Sequence, residues 1–200
     1  MPSPRDAALP LAILLAAGRG TRFDSAEGKL LQPVGPDGEM VAVRAAQALL
    51  QALPVVAVVA AEGLLADALR RTGCDVTVLD PAQPRQMSAT LRHGLLHGGP
   101  AAGWLIALAD MPLIRPSTIV RMRDALLSGA DIAVPVSQGR RGHPVAFSVR
   151  HRDALLALQG DQGARAILAA HPVREVAVDD PGIQVDIDTH ADLRLLDRFK

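Results

Sequence analysis

The feature that most constrains the fold is a regular alternation of short apolar segments with longer amphipathic ones. The short segments have no polar face, which is typical of strands buried on both sides of a sheet. They are Leu11–Ala17, Val55–Ala60, Val76–Leu79, Trp104–Ala109 and Ile132–Val136. The longer segments place apolar residues three and four positions apart, as helices do. They are Val41–Leu53, Leu64–Thr72, Ser88–His97 and Ser117–Ser128. This alternation predicts an α/β fold with a mostly parallel sheet between two layers of helices.

The last part of the chain has a less regular pattern. The expected elements there are strands at Val145–Val149 and Val173–Val178 and helices at Arg152–Leu158, Gly163–Ala170 and His190–Phe199. Ser117, after Pro116, is the expected N-cap of its helix. The sequence contains no internal repeat, charge run or low-complexity linker, so we expect a single domain over residues 1–200.

The composition excludes several classes of function. Lys plus Arg and Asp plus Glu are equal at 21 each, so no net basic field attracts nucleic acid. Aromatic residues make up only 2% of the chain, which argues against the stacking surfaces of single-strand binders. The single cysteine, Cys74, allows neither an internal disulfide nor a cysteine-built zinc site. The longest apolar stretch, Leu9–Ala17, is too short to span a bilayer, and Met1–Pro10 lacks the apolar run of a signal peptide. We therefore expect a soluble cytoplasmic protein without a membrane or nucleic-acid partner.

A glycine-containing turn follows the first strand. It runs Ala16-Ala17-Gly18-Arg19-Gly20-Thr21-Arg22, and Gly28-Lys29 comes soon after it. Glycines let backbone N–H groups approach phosphates closely, and Arg22 and Lys29 add compensating positive charge. The turn therefore indicates a phosphate site, with an ordinary tight strand-to-helix turn as the alternative.

Two common phosphate motifs do not match this turn. A Walker loop requires Ser or Thr directly after Gly-Lys, where this chain has Leu30. A dinucleotide loop requires a third glycine where Phe23 stands, and an acidic residue after the second strand, which ends Val59-Ala60-Ala61.

Six sequence blocks together resemble the MobA-like nucleotidyltransferases, and within them the molybdenum cofactor cytidylyltransferases. The blocks, in the family's order, are Leu15–Arg22 with Lys29–Leu31, Met87–Leu95, Leu108–Pro112, Arg141–Val145, Gly160–Arg165 and Asp186–Thr189. The resemblance implies a three-layer Rossmann-like, mostly parallel sheet of the nucleotide-diphospho-sugar transferase type. It also implies Mg²⁺-dependent transfer of CMP from CTP to a molybdopterin-type cofactor, with release of pyrophosphate.

The resemblance also implies roles for individual residues. The residues expected at the nucleotide are Leu15, Ala16, Ala17, Gly18, Gly20, Thr21, Arg22, Lys29, Ser88 and Asp110. Arg22 and the Gly18–Gly20 amides would hold the β- and γ-phosphates, and Lys29 would stabilise charge on the α-phosphate. Arg22, Lys29 and Asp110 are accordingly the expected catalytic residues. The second substrate is expected to contact Gly142, His143 and Arg165.

Two acidic positions are candidates for the metal. Asp110 follows an apolar strand, and the carboxyl ends of parallel strands border the crevice where open α/β sheets bind ligands. Asp186 and Asp188 are two residues apart and would share a face of an extended segment. Mg²⁺ prefers oxygen ligands and bridges one or two carboxylates to substrate phosphates. The resemblance favours Asp110 and Asp188, against a turn cap and a helix N-cap as the structural alternatives.

Several questions stay open at this point. The pair Ala17-Gly18 resembles the cytidylyl branch, whereas guanylyl relatives usually carry Gly-Gly, so CTP is expected and GTP is the alternative. The segment between Arg22 and Lys29 is longer than is usual in the family, and Gln86 stands where a glycine is usual. Other functions considered are an NAD(P)H-dependent reductase similar to nicotine-blue oxidoreductase, a non-catalytic nucleotide-binding accessory protein, and transfer to a sugar phosphate. A molybdoenzyme that receives the product is a further expected partner.

Overall fold

The computed structural model describes residues 9–18, 28–161 and 163–195. The strands are β1 (Leu11–Ala16), β2 (Pro33–Val34), β3 (Glu39–Met40), β4 (Val55–Val59), β5 (Asp75–Val78), β6 (Gly103–Leu108), β7 (Ile132–Ser137), β8 (Arg140–Arg141), β9 (Val145–Ser148) and β10 (Arg174–Ala177). The α-helices are α1 (Val41–Leu50), α2 (Leu64–Thr72), α3 (Met87–Gly98), α4 (Pro116–Leu127), α5 (Arg152–Leu156), α6 (Arg165–Ala170) and α7 (His190–Leu195). Short 3-10 helices span Lys29–Leu31, Val149–His151 and Pro181–Gln184.

One sheet contains most of the described strands, in the order β10-β7-β9-β6-β1-β4-β5, with β8 paired to β7. The pairs β1–β4, β1–β6, β4–β5 and β7–β10 are parallel. Only β8 and β9 run antiparallel to their neighbours in this sheet. The connection from β7 to β9 is too short for a parallel crossover, which takes a dozen or more residues, so β9 reverses direction. The predicted mostly parallel sheet is confirmed.

Helices cover both faces of the sheet, as predicted. Successive strand residues point to opposite faces, so Leu14 packs in one core with α1, α2 and α4 while Ile13 packs in another with α3, α5 and α6. Leu69 of α2 and Leu95 of α3 are fully buried on these two sides. Each such leucine contributes about 1.5–3 kcal/mol relative to an exposed position. The three-layer architecture therefore follows from strands that are apolar on both faces.

The start of α4 differs from the prediction. Ser117 is not the N-cap, because the helix begins at Pro116 with Arg115 as its N-cap. Proline at the first helical position costs no hydrogen bond, since the first N–H groups of a helix have no partner within it. The buried carboxylate of Asp180 instead accepts hydrogen bonds from the Arg115 N–H at 2.8 Å and the Thr118 hydroxyl at 2.6 Å. A residue distant in sequence thus takes the place of a local cap.

Most other predicted elements agree with the structure to within a few residues. The helix predicted to end at Leu53 ends at Leu50, and the one predicted to begin at Gly163 begins at Arg165. Residues beyond Leu195 of the predicted last helix lie outside the described residues. The two-residue strands β2, β3 and β8 were not predicted, because they are too short to show alternation. Within the described ranges, no helix is both long and apolar enough to cross a membrane.

The order of the strands creates a crevice beside β1. From β1 the chain passes to β4 on one side of it and later to β6 on the other, so the direction of winding reverses there. Ala109, directly after β6, donates its N–H to the Leu15 carbonyl at 3.2 Å. This places Asp110 beside the carboxyl end of β1, at the switch point where open α/β sheets bind ligands.

Candidate active site

Three residues far apart in sequence meet at this crevice. The Lys29 Nζ atom donates to Asp110 Oδ2 at 2.6 Å and to Asp188 Oδ1 at 2.7 Å. The Lys29 side chain is 13% exposed and each of the two aspartate side chains is 20% exposed. We call these three residues the lysine–carboxylate cluster. It unites two predicted catalytic residues with the predicted second metal ligand.

Local backbone features bring the members of the cluster together. Gly28 has a φ of +71°, in the left-handed region that favours glycine, and it leads into the 3-10 helix that begins at Lys29. The Asp110 carbonyl accepts the Ile187 N–H at 2.9 Å, which ties the segment carrying Asp188 to the end of β6. Asp188 is thereby held next to Asp110 although no strand forms at residues 185–188.

The N-terminus of α7 is capped without the Asp188 carboxylate. Thr189 Oγ1 accepts the Asp192 N–H at 3.3 Å, and the Asp192 carboxylate accepts the Thr189 N–H at 2.7 Å. This reciprocal pair is a capping box with aspartate in place of glutamate. The Asp192 carboxylate also accepts the Asp188 N–H at 3.0 Å. The pair Asp188-Thr189 was expected to form either a metal contact or the N-cap region of the last helix. Thr189 is the cap, and the Asp188 side chain accepts a hydrogen bond from Lys29.

The charges of the cluster reinforce one another. Burial alone would lower the pKa of Lys29, but the charges and hydrogen bonds of Asp110 and Asp188 outweigh burial and raise that pKa above its ordinary value of 10.5. Lys29 is accordingly an ammonium ion at neutral pH. The cluster thus holds one ammonium against two carboxylates.

The cluster also fits a divalent cation. Asp110 Oδ1 is buried and accepts no hydrogen bond from the described part of the chain. Carboxylate oxygens are the ligands that Mg²⁺ prefers, and one or two of them suffice when phosphates supply the rest. No group of three or more His, Cys, Asp or Glu side chains positioned for a metal occurs among the described residues. The residues present thus suit a metal shared with a substrate phosphate.

A cavity of about 370 Å³ adjoins the cluster and is called the nucleotide cavity here. The name refers to Leu15, Ala16, Gly18, Lys29 and Asp110, which line the cavity and for which nucleotide contacts stay a prediction. Ala17 does not line it, because its side chain is fully buried in the core on the α3 side of the sheet. The predicted contacts Gly20, Thr21 and Arg22 lie outside the described residues.

Ser88 occupies a different place from the other predicted nucleotide contacts. It is 5% exposed in the first turn of α3, it donates its N–H to the Gly160 carbonyl at 3.2 Å, and it lines neither cavity of the site. The Asp161 carboxylate accepts the Met87 N–H at 2.9 Å. Asp161 therefore caps α3 and not the helix that follows it in sequence. The two predicted blocks at 87–95 and 160–165 are joined at this helix end.

A second cavity, of about 570 Å³, lies on the other side of Leu15 and is called the acceptor cavity. The name refers to Gly142, His143 and Arg165, which line the cavity and for which contacts with the second substrate stay a prediction. Its apolar wall consists of Leu91, Ile106, Leu108, Met111, Val134, Val145 and Phe147, among others. Arg140 and Arg141 also line it, together with the carboxylates of Asp161 and Asp186. Arg141 pairs with Glu175 at 2.8 Å, which leaves Arg140 and Arg165 as the guanidinium groups without an ion pair among the described residues. Leu15 also lines the nucleotide cavity, so the two cavities adjoin.

His143 is held as a neutral ring at this cavity. The backbone N–H of His143 donates to the Ile183 carbonyl at 2.9 Å. The ring Nδ1 is buried with no hydrogen-bond partner in the described chain. Burial, helped by the charge of Arg165, lowers the pKa of His143, against the opposing charges of Asp110 and Asp186. A Cβ atom at Gly142 would collide with the Ile183 carbonyl, so only glycine permits this close approach.

Two contributors to the site were missed from sequence. Arg85 lines the nucleotide cavity, is exposed, and pairs with no other described residue. Its only signal was a basic residue just before a predicted helix. Gln184 donates to the Ser137 carbonyl at 3.2 Å and to the Arg140 carbonyl at 2.9 Å. It thus joins Pro181–Gln184 to the β7–β8 turn at the rim of the acceptor cavity, with no signal in the local sequence.

Comparison with known proteins identifies the family. The family model described as "MobA-like NTP transferase domain" matches residues 12–176. The chain belongs to this family. The resemblance of the six sequence blocks to the MobA-like nucleotidyltransferases is thereby confirmed.

Solved structures of two similar proteins cover nearly the whole chain. Rv0371c from Mycobacterium tuberculosis H37Rv is 30% identical over 94% of this chain and 98% of its own, with a TM-score of 0.77. Its complex with manganese aligns with a TM-score of 0.74. A nucleotidyl transferase from Methanothermobacter thermautotroptrophicus is 25% identical over 96% of this chain and 97% of its own, with a TM-score of 0.78.

Curated relatives match over a smaller share of their length. The bifunctional protein GlmU of Rhodospirillum rubrum is 32% identical over 136 residues, which are 68% of this chain and 30% of GlmU. The chain spans about a third of the length of the curated relatives it matches.

Proposed function

We propose that this protein transfers CMP from CTP to the terminal phosphate of a molybdopterin-type cofactor and releases pyrophosphate. The observation that carries the proposal is the lysine–carboxylate cluster at the mouth of the nucleotide cavity. Membership of the MobA-like NTP transferase family supports nucleotidyl transfer as the reaction class. The manganese complex of Rv0371c supports a divalent metal, which we propose to be Mg²⁺ in this protein.

The reaction brings two anions together. An oxygen of the acceptor phosphate forms a bond to the α-phosphorus of CTP, and the bond from that phosphorus to the oxygen bridging the α- and β-phosphates breaks. The electron pair leaves with pyrophosphate. Such phosphate chemistry needs positioning and charge neutralisation far more than covalent help from the protein. No general base is required, because the attacking phosphate is already ionised, and the neutral ring of His143 agrees with a role in positioning alone.

The residues of the nucleotide cavity supply the positioning. In the proposal the Gly18–Gly20 amides and Arg22 hold the β- and γ-phosphates, and Arg85 adds a further cation at the cavity wall. Lys29 gives up its hydrogen bond to one aspartate, binds the α-phosphate instead and stabilises the charge that develops there. Asp110 and Asp188 would hold the Mg²⁺, which neutralises phosphate charge when bound.

The acceptor cavity suits a flat molecule with an anionic end. Its apolar wall is large enough to bury a ring system, since ligand cavities typically measure roughly 300–1,000 Å³. The guanidinium groups of Arg140 and Arg165 and the unpaired Nδ1 of His143 would provide partners for phosphate and polar ring atoms. Base preference is proposed to act through backbone position at Ala17-Gly18, since the Ala17 methyl group is buried and does not face the cavity. A molybdoenzyme is the proposed recipient of the product.

The test is a pyrophosphate-release screen with Mg²⁺ and each of the four ribonucleoside triphosphates. Each triphosphate is tested alone, with molybdopterin, and with a set of sugar phosphates. We expect release from CTP that depends on molybdopterin. Release from GTP but not from CTP would reverse the base assignment. Release that occurs only with a sugar phosphate would reverse the acceptor assignment. The absence of release in every arm would overturn the proposal and favour either the reductase or the accessory protein. Oxidation of reduced nicotinamide in the presence of candidate dyes would identify the reductase.

Two variants test whether the cluster performs the reaction. Lys29→Ala and Asp110→Ala should each lower turnover by at least about 100-fold, the scale on which a single transition-state contact is lost. Asp153→Ala is the matched control, because this carboxylate is 98% exposed on α5 and lines none of the cavities of the active site. Turnover within about threefold of wild type for either cluster variant, with the fold intact, contradicts the assignment.

A further inference from the structure

A third cavity, of about 660 Å³, lies at the opposite end of the sheet from the active site. It opens where β7 and β10 begin and where β9 leads into the 3-10 helix Val149–His151. Because β7 runs parallel to β6, the amino end of β7 and the carboxyl end of β6 are at opposite edges of the sheet. The cavity shares no lining residue with the nucleotide or acceptor cavity. We call it the basal cavity, and define it by Asp131, Arg150, His151, His171 and Arg174.

The basal cavity carries more positive than negative charge. Arg150 Nη1 lies 3.2 Å from Asp131 Oδ2, so these two charges largely cancel. Arg174 Nη1 donates to the hydroxyl of Ser128 at 2.8 Å, which is a neutral acceptor. Arg174 has no carboxylate partner within the described ranges. Its guanidinium therefore leaves one uncompensated positive charge beside the cavity.

Two histidine rings complete the lining. His151 is 7% exposed, and its ring centroid lies 4.8 Å from that of His171 with the planes at 73°. On another side the His151 ring meets the edge of Phe147 at 6.0 Å, so aromatic neighbours fix its orientation. Neither imidazole makes a hydrogen bond to the described part of the chain. His171 is exposed and both residues line the cavity, so their ring nitrogens are available to a ligand there.

We propose that the basal cavity binds a compact oxyanion, a phosphate or carboxylate group, between Arg174 and the His151–His171 pair. Guanidinium offers only donors, and an imidazole ring offers an N–H donor in either tautomer. The partner that satisfies such a set is an acceptor with negative charge. The site is independent of the proposed nucleotidyl transfer and lies apart from its residues. It is open enough to admit the group as a free ion or on a larger molecule.

A bound anion would also change the protonation of the His151 ring. Burial, the charge of His171 and the charge of Arg150 lower the pKa of His151, and the charge of Asp131 opposes them. The ring is therefore neutral at pH 7 in the free protein. A negative charge close to the His151 ring favours its protonated form, so the ring nitrogens of His151 report directly on occupancy.

The experiment follows the histidine ring nitrogens by NMR in the whole protein at pH 7. Inorganic phosphate and succinate are titrated separately at constant ionic strength maintained with chloride. His171→Ala identifies the signals of the pair. Arg174→Gln removes the uncompensated charge, and Arg71→Gln, an exposed position on α2 outside all the cavities, is the matched control.

We expect at least one of the two anions to shift the signals of both His151 and His171, with saturation. Affinity should fall roughly five- to tenfold in Arg174→Gln, as for the loss of one charge-assisted contact, and stay unchanged in Arg71→Gln. Which of the two anions binds more tightly distinguishes a phosphate from a carboxylate ligand. The proposal would be overturned if the anions shifted only the signals of His143, or if Arg174→Gln and wild type bound them with equal affinity. It would also be overturned if the pair responded to Zn²⁺, titrated separately, but to neither anion.

Discussion

Lys29 occupies the position that positive charge must take between Asp110 and Asp188, so it should compete with the metal. A divalent ion that uses both carboxylates has to displace the two hydrogen bonds of 2.6 and 2.7 Å made by the Lys29 ammonium. Replacement by methionine keeps the length of the side chain and removes its charge. We therefore expect Lys29→Met to bind Mn²⁺ more tightly than wild type in the absence of nucleotide, although it loses turnover.

The structure sets the size of this effect. A hydrogen bond to a charged group contributes about 1.5–3 kcal/mol when it is well buried. The Lys29 side chain is 13% exposed and the two carboxylates are 20% exposed, so solvent screening reduces each bond to about 1 kcal/mol. Loss of the competition from both bonds amounts to about 2 kcal/mol, or roughly 30-fold in affinity.

The assay is titration of the free Mn²⁺ signal by electron paramagnetic resonance at pH 7.5, where both carboxylates are available. Lys200→Met is the matched control, because Lys200 is the only other lysine in the sequence. A non-hydrolysable CTP analogue should reduce the difference in Mn²⁺ affinity between variant and wild type, because its phosphates draw Lys29 away from the carboxylates. Equal or weaker Mn²⁺ binding by Lys29→Met without nucleotide would refute the competition.

Three further predictions concern stability. Because the pKa of Lys29 is raised, its ion pairs stabilise the fold below its ordinary value of 10.5 and are lost as the pH rises through the higher value of the folded state. Wild type should therefore lose free energy of unfolding above pH 10.5 relative to Lys29→Met in denaturant titrations, and parallel curves would contradict this. Gly142→Ala should cost about 1–3 kcal/mol through collision with a backbone carbonyl, whereas Gly18→Ala, where an added Cβ meets nothing within 4 Å, should cost much less. Asp161→Ala should cost about 1 kcal/mol and weaken hydrogen-exchange protection at the start of α3, and unchanged protection there would refute its role as a cap.

The layered fold was accessible from the sequence because its determinants are local. A strand that is buried on both faces must be apolar at every position, and Val55–Val59 and Trp104–Leu108 meet this requirement. A helix on one face of the sheet must repeat its apolar residues every three or four positions, which Leu91 and Leu95 do. These two periods, two and 3.6, are properties of the backbone and need no knowledge of the partner.

Contacts between distant segments were not accessible in the same way. The cap of α3 comes from Asp161, and the capping carboxylate of α4 comes from Asp180, each more than 60 residues away in sequence. The acidic pair at 186 and 188 was expected to share a face of a strand. In the structure Asp188 meets Lys29, while Asp186 lines the acceptor cavity.

The amino-acid pattern alone therefore determined the layers and the mostly parallel sheet, because burial on both faces acts locally, but it did not determine the strand order that creates the crevice beside β1. It also marked Lys29, Asp110 and Asp188 as separate candidates. Only the tertiary structure decided that one ammonium joins both carboxylates, that Ala17 and Ser88 are buried away from the cavities, and that two histidines meet at the far edge of the sheet. Hydrogen bonds act over about 3 Å, and residues 81 and 159 positions apart reach that distance only when the whole sheet is assembled.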